Sequence, residues 1–234
     1  MSADNLTIER DDSIAILTFN RPEVLNAFNN PLMKQTLEEV AQLNADDTVR
    51  AIVVRGAGRA FSPGFDLKAS ADRKMEGVQD WERQMKLQFD FIMQFWYSPK
   101  PTIAAVHGYC IAGAFELALA CDVTIAAQNT RLGEPEVRFG TGIVAMLLPW
   151  VTGPKQAKEL LLTGEDKLSA DDALRIGIVN QVVPDGEVFD TAMSIAKSMA
   201  NAAERSVTFT KRAINETYET MGFGRALRAS LDLD

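Results

Sequence analysis

The apolar stretch from Ile103 to Ala127, broken by Gly108 and Gly113 and carrying His107, Glu116 and Asp122, most narrows the folds open to this chain. It is long and apolar enough to resemble a membrane span, yet a glutamate in mid-span costs about 3 kcal/mol even on permissive scales. The glycines divide it instead into a buried strand over Thr102 to Val106, a turn, a short helix over Gly113 to Ala120 and a second buried strand over Val123 to Ala127. Strand, helix, strand implies parallel strands joined by a right-handed crossover, and hence an α/β fold.

The flanking sequence agrees with that class. Leu6 to Arg10 and Ser13 to Phe19 alternate apolar and polar residues around Asp11 and Asp12, which predicts a β-hairpin. Asn30 and Pro31 open a helix to about Asn44, and Ala51 to Val54 form a buried strand. The loop GAGRAFSPGFD, residues 56 to 66, is a shaped turn, and a helix centred on Trp81 to Trp96 is stopped by Pro99-Lys100-Pro101. Beyond Gly140 the pattern turns helical over Ile143 to Val151, Pro154 to Leu162, Ser169 to Ile176, Glu187 to Asn201 and Arg205 to Tyr218, with one strand at Ile178 to Val183. The final RALRASLDLD is still helical where the sequence stops, so a further tail is expected. No linker is long enough to divide the chain into separate units.

Composition excludes several functions. With 234 residues, 47% of them hydrophobic, the chain can bury a sizeable core. A formal net charge of −8 with no basic block argues against nucleic-acid binding, which relies on clustered cations. Cys110 and Cys121 lie in apolar surroundings and read as buried, inert thiols; the first residues lack a signal-peptide pattern, so the cytoplasm is the expected compartment. The single histidine, His107, forbids a His-rich metal site and reads as a strand-end residue rather than a base.

Two carboxylates carry the chemistry. Glu116 and Glu136 fall in apolar, glycine-punctuated sequence, where an ionised carboxylate costs several kcal/mol unless it has a partner, a shifted pKa or a task. Together they suggest a paired acid and base. Glu116 also reads as a first-turn carboxylate favoured by the helix dipole, and Glu136 as a surface residue beside Glu134 and Arg138. Gly113 opens the helix that carries Glu116, and Gly64 in the FSPGFD loop frees the N–H of Phe65. Two such donors aimed at one oxygen form an oxyanion hole, in which each donor is worth about 3 kcal/mol of barrier.

Five segments, NRPEVLNAF (20 to 28), GRAFSPGFDLK (58 to 68), KPTIAAVHGYCIAGAFELALACD (100 to 122), LGEPEVRFG (132 to 140) and LSADDALRIGIVNQVV (168 to 183), resemble, in order, the enoyl-CoA hydratase/isomerase or crotonase superfamily. The resemblance implies a crotonase-like spiral of β-β-α units over residues 1 to 185, a C-terminal α-helical region over 186 to 234, and assembly as a homotrimer or a hexamer made of two trimers. It places the oxyanion donors on Phe65 and Gly113, and the catalytic carboxyls on Glu116, which would activate water, and Glu136, which would protonate the α-carbon. Coenzyme A, part of the acyl-CoA substrate, would lie along Val24, Leu25, Ala27, Pro63, Asp66 and Leu67, with Lys68 at a phosphate or simply solvated.

The implied activity is hydration of a 2-enoyl-CoA without metal or redox cofactor. A Δ3,Δ2-enoyl-CoA isomerase, another acyl-CoA enzyme of the superfamily such as a hydrolase, decarboxylase or dehalogenase, and a non-catalytic CoA-thioester binder are the alternatives. No nucleic-acid or membrane partner is expected. Two departures bear on specificity: Gly113-Ala114-Phe115 replaces a glycine triplet, bringing a bulky ring near the site or behind it, and IVAMLLPW follows Gly142 where short-chain hydratases carry small residues. Val144, where a diene isomerase of the family would carry an acid, disfavours that subclass.

Overall fold

A computed structural model of the protein describes residues 5–71 and 76–231. The hairpin forms as expected: β1 (Leu6–Asp11) pairs antiparallel with β2 (Ile14–Phe19), and Asp12 takes the left-handed turn position at φ 52°. Helix α1 (Asn30–Ala45) begins one residue earlier than a cap at Asn30 would place it. Asn29 is the capping residue, its side chain accepting from Leu32 N at 3.0 Å, while Asn30 is already helical. After β3 (Ala51–Gly56) and the glycine loop come the short α2 (Leu67–Ala71) and the long α3 (Val78–Tyr97). Next follow β4 (Thr102–Val106), β5 (Tyr109–Ile111), α4 (Gly113–Ala120), β6 (Val123–Ala127) and β7 (Arg131–Gly133).

The remaining elements are α5 (Leu148–Thr152), α6 (Pro154–Thr163), β8 (Leu168–Ser169), α7 (Ala170–Arg175), β9 (Gln181–Val183), α8 (Val188–Asn201), α9 (Glu204–Thr220) and α10 (Phe223–Leu231). α10 confirms the helical reading of RALRAS up to Leu231; the last three residues lie outside the described ones. Two expectations need correction. The helix read over Ile143 to Val151 is confined to α5, because the backbone N–H of Ala145 is donated to the Glu116 carboxylate rather than to a preceding turn. The strand read over Ile178 to Val183 is confined to β9, since Ile178 N–H turns back to the carbonyl of Ala173 at the end of α7.

Among the described residues the main sheet runs β1-β2-β3-β4-β6-β9, parallel everywhere except at the β1 hairpin, and a small second sheet runs β5-β7-β8. Strand periodicity sorts the main sheet into two apolar faces. Ala15, Leu17, Phe19, Ile52, Val54 and Ala104 point into a core shared with α1, α3 and α4. Ile14, Ile16, Ala51, Val53, Ile103 and Ile125 point to the opposite face, where α8 covers them with Val188, Ala192, Met193 and Ala196. Covering both faces is what requires near-continuous apolar strands such as TIAAV. No helix among the described residues is long and apolar enough to cross a membrane.

A phenylalanine cluster joins the sheet to the helices over its site-bearing end. Phe91 on α3 packs edge-on against Phe28, with ring centroids 4.9 Å apart, and lies against Phe19. Its ring is fully buried. Phe91→Ala is therefore expected to lower unfolding free energy by about 3–5 kcal/mol, measured by urea denaturation. A loss under about 1 kcal/mol would mean that this part of the core collapses to fill the space.

Candidate active site

The small sheet sets the geometry of the site. β5 and β7 pair in parallel with Ile111 opposite Gly133, and the Ala112 N–H continues the pairing to the Gly133 carbonyl at 2.8 Å. Two chain segments thus leave the sheet side by side. One turns sharply at Ala112, held at φ 58° and ψ −137°, and enters α4, whose first turn carries Glu116. A non-glycine residue in that conformation is strained by on the order of 1–3 kcal/mol, the kind of outlier that concentrates at functional sites. The other segment passes through Glu134 and Pro135 into a short 3-10 turn beginning at Glu136.

This arrangement gathers three carboxyls. Oxygens of Glu116, Glu134 and Glu136 lie within 4.8 Å of one another. All three side chains are buried. Glu116 accepts from Ala145 N at 2.9 Å and is hydrogen-bonded to Glu134. Oε1 of Glu134 and Oε2 of Glu136 are buried without a hydrogen-bond partner among the described residues. Burial, opposed by hydrogen bonds from Glu134 and backbone, pushes Glu116 from 4.5 to about 8, and the Glu136 charge adds to the rise. Burial likewise raises Glu136 to about 7, and burial together with the two neighbouring carboxylates raises Glu134 well above the usual range.

Sequence reasoning singled out Glu116 and Glu136, and the fold brings them together. It treated Glu134 as a bystander. The available signal was the spacing: Glu134 and Glu136 flank one proline, so an extended segment ending at Glu136 can turn both carboxyls the same way. Arg21 was also passed over. Its Nη1 donates to the Ala27 carbonyl at 2.5 Å and pairs with Asp66 at 3.0 Å, strapping the 20–28 segment onto the glycine loop.

That loop meets the N-terminus of α4. Gly64, at φ 93°, packs so closely that a Cβ there would lie 2.7 Å from the Ala112 Cβ and 3.0 Å from Gly113 N. Phe65 pairs with Phe28 through its flanking residues, Phe28 N donating to Gly64 O and Asp66 N to Phe28 O, so its own N–H points away from that partner. Gly113 is the first residue of α4, and Ala112 supplies no side-chain cap, so its N–H has no intrahelical acceptor. The Phe65 ring lies over Gly113, where a Cβ would come within 2.5 Å of Cε2. Both candidate donors thus sit at one junction, beside the carboxyls.

The coenzyme candidates occupy adjoining segments. Val24 is exposed in a 3-10 turn, Leu25 takes φ 56°, Ala27 is buried, and Pro63 is half-buried. Asp66 is engaged by Arg21 and by Ala69 N, while Leu67 and Lys68 are exposed at the start of α2. Phe115 lies behind the site, fully buried in the main core. His107 stands apart, its Nε2 3.0 Å from Gly58 O. Cys110 and Cys121 are free and buried, and burial pushes both thiols up, away from the reactive thiolate.

Comparison with known proteins places this geometry in context. A family model described as enoyl-CoA hydratase/isomerase matches residues 9–233. The short-chain-enoyl-CoA hydratase of Clostridium acetobutylicum is 34% identical over 92% of this chain and 82% of its own length. The crotonyl-CoA hydratase of Syntrophomonas wolfei is 33% identical over 94% and 85%. The crystal structure of an enoyl-CoA hydratase/isomerase from Xanthobacter autotrophicus Py2 superposes with a TM-score of 0.97 at 45% identity, covering all of this chain and 87% of that one.

The shifted carboxyls have a consequence for stability. A carboxyl whose pKa is raised by folding keeps its proton in the folded state while the unfolded chain releases it, so stability falls as pH rises from 4.5 towards 8. Glu116→Gln removes that ionisation. It is expected to match or trail the wild type in urea denaturation near pH 4 and to gain on it by on the order of a few kcal/mol by pH 8. A difference independent of pH would show that Glu116 titrates as an ordinary carboxylate.

Proposed function

Because the chain belongs to the enoyl-CoA hydratase/isomerase family, we propose that it adds water in syn fashion across the double bond of a 2-enoyl-CoA thioester. The observation that carries this reading is the cluster of buried carboxyls beside the uncapped start of α4. In the proposed reaction the thioester carbonyl lies against the N–H groups of Phe65 and Gly113, which stabilise the enolate oxygen as charge develops there. Glu116 takes a proton from water, whose oxygen bonds to the β-carbon. Glu136 gives its proton to the α-carbon, and transfer of the proton from Glu116 to Glu136 resets the site. Burial raises Glu116 to about 8 and Glu136 to about 7, which brings both carboxyls into the range where a proton can be taken up and given back near neutral pH.

Hydration is redox-neutral, so this reading calls for no redox cofactor, and coenzyme A enters as part of the substrate along the 24–27 and 63–68 segments. A cytoplasmic setting belongs to the same reading, supported by two free, buried thiols. So does assembly into trimers or hexamers, supported by α9, whose residues include no buried side chain and which exposes Phe209 and Ile214. Light scattering at micromolar concentration is expected to give three or six times the 25.7 kDa chain mass; a fully active monomer would contradict the assembly.

The isomerase reading, which the family description also covers, needs one carboxyl rather than two. If the protein hydrates crotonyl-CoA, followed by loss of the conjugated absorbance, Glu116→Gln and Glu136→Gln should each lower kcat by about 100-fold to 10,000-fold. The double variant should be barely worse than the worse single one, since both groups act in one step. Isomerisation of a 3-enoyl-CoA that survives Glu116→Gln and is abolished by Glu136→Gln would decide for the isomerase. Binding without turnover across a panel of chain lengths would decide for a non-catalytic thioester binder.

A further inference from the structure

The reaction proposed above needs the charge on one particular carboxyl, yet burial raises both Glu116 and Glu136 towards neutrality, and among the described residues neither has a cationic partner to fix it. The hydrogen bonds around the third carboxyl break that symmetry. Glu116 is supplied with donors: Ala145 N–H at 2.9 Å and the backbone at Val144. Glu134 has none among the described residues. Its Oε1 is orphaned, and its one side-chain hydrogen bond is to Glu116, another carboxyl. Two carboxyls can share a hydrogen bond only if one of them carries a proton. An ionised Glu134 would be a buried charge with no donor, whereas an ionised Glu116 keeps its backbone donors, so the proton belongs on Glu134.

We infer that Glu134 is a positioning residue of the active site: a neutral carboxylic acid that donates its proton as a hydrogen bond to Glu116 and so favours the ionised, base form of Glu116 against the burial that opposes it. The inference rests on the proposed hydration for its catalytic meaning, but the protonation itself does not. Glu134 is fixed at its backbone, its N–H donating to the Glu165 carbonyl at 2.8 Å. The titratable groups facing it are Glu116 at the start of α4, Glu136 on its own segment and the Cys110 thiol on β5, all of them potential negative charges. The neighbouring loop carries Asp166, paired with Arg138 at 3.1 Å, and Glu165, whose carboxylate accepts from Lys167 N. None of these lowers the cost of ionising Glu134.

The role separates Gln from Leu at this position. An amide N–H can replace the acid as donor to Glu116, so Glu134→Gln is expected to keep kcat within about threefold with the acid limb of its pH profile in place. Glu134→Leu, similar in size but without a donor, is expected to lower kcat by about tenfold or more and to move that limb to higher pH, because Glu116 then holds its proton more tightly. A purely structural Glu134 would lower thermal stability in the Leu variant without moving the limb, and a directly catalytic acid would make Gln as poor as Leu; either result overturns the inference.

Infrared difference spectroscopy on substrate-free protein supplies the independent arm. The wild type should retain one protonated-carboxyl carbonyl stretch at a pH where Glu116 and Glu136 have ionised, and Glu134→Gln should lack it. Absence of the band in the wild type, or its persistence in Glu134→Gln, refutes the assignment whether or not the Leu variant folds. A wild type that shows the band but hydrates no enoyl-CoA would leave the proton on Glu134 and remove the hydratase reading instead.

Discussion

The parallel pairing of β5 with β7 is the constraint on which the candidate site depends. Three residues on each strand, ending with Ile111 opposite Gly133, fix where two chain segments emerge. The next bond in the series, Ala112 N–H to Gly133 O, forces the first segment into a turn that a residue with a Cβ adopts only under strain. From that turn α4 starts without a capping side chain, and from the facing strand Glu134 and Glu136 enter the same space. A slip of two residues would move Glu116 about 6–7 Å relative to its partners, more than the separation among the three carboxyls. The geometry of the candidate site is therefore set by backbone register, with the side chains following from it.

Holding three carboxyls in a dry space is costly, and the rest of the molecule supplies the offset. Both faces of the main sheet are covered, one by α1, α3 and α4 and the other by α8, and the fully buried side chains include Phe19, Phe28, Phe61, Phe91 and Phe95. Each contributes about 1.5–3 kcal/mol on burial, so two or three such residues match the several kcal/mol that one misplaced charge removes. Protonation reduces the cost further, because a neutral carboxyl needs a hydrogen-bond partner rather than a counter-ion. The raised pKa values of all three carboxyls are the form this relief takes, and groups that titrate together near neutral pH are what the proposed acid-base reaction requires.

What could be read from the residues follows the length of the elements. The hairpin, α1, α3, β4, α4 and β6 are long or strongly patterned, and their positions were legible from periodicity and glycine or proline punctuation. β5, β7 and β8 have two or three residues each, too few for any period to show, so the small sheet that assembles the site was invisible. The segment at Ile143 to Leu147 looked helical because it is apolar, but its backbone serves Glu116 instead. Glu116 and Glu136 stood out as carboxylates in apolar sequence. Glu134 did not, because beside Glu136 it resembles half of a solvated acidic pair until the fold turns both inward.

The start of α4 serves two demands that at first compete. Its partial positive charge favours a carboxylate in the first turn by about 0.3–1 kcal/mol, up to roughly 2 kcal/mol in a partly buried setting. Glu116 occupies that turn, yet its pKa is raised, so burial outweighs the helix field. The reason is directional. Glu116 takes its donors from Ala145 and Val144, across the site, and leaves the N–H of Gly113 unclaimed. In the proposed reaction that N–H, with the one on Phe65, meets the thioester oxygen as it becomes an oxyanion. Were Glu116 ionised and bonded to its own helix start, it would neutralise the field the oxyanion needs. Drawing the donors of Glu116 from a separate segment would let one helix end both hold the proposed base and stabilise the enolate of the proposed reaction.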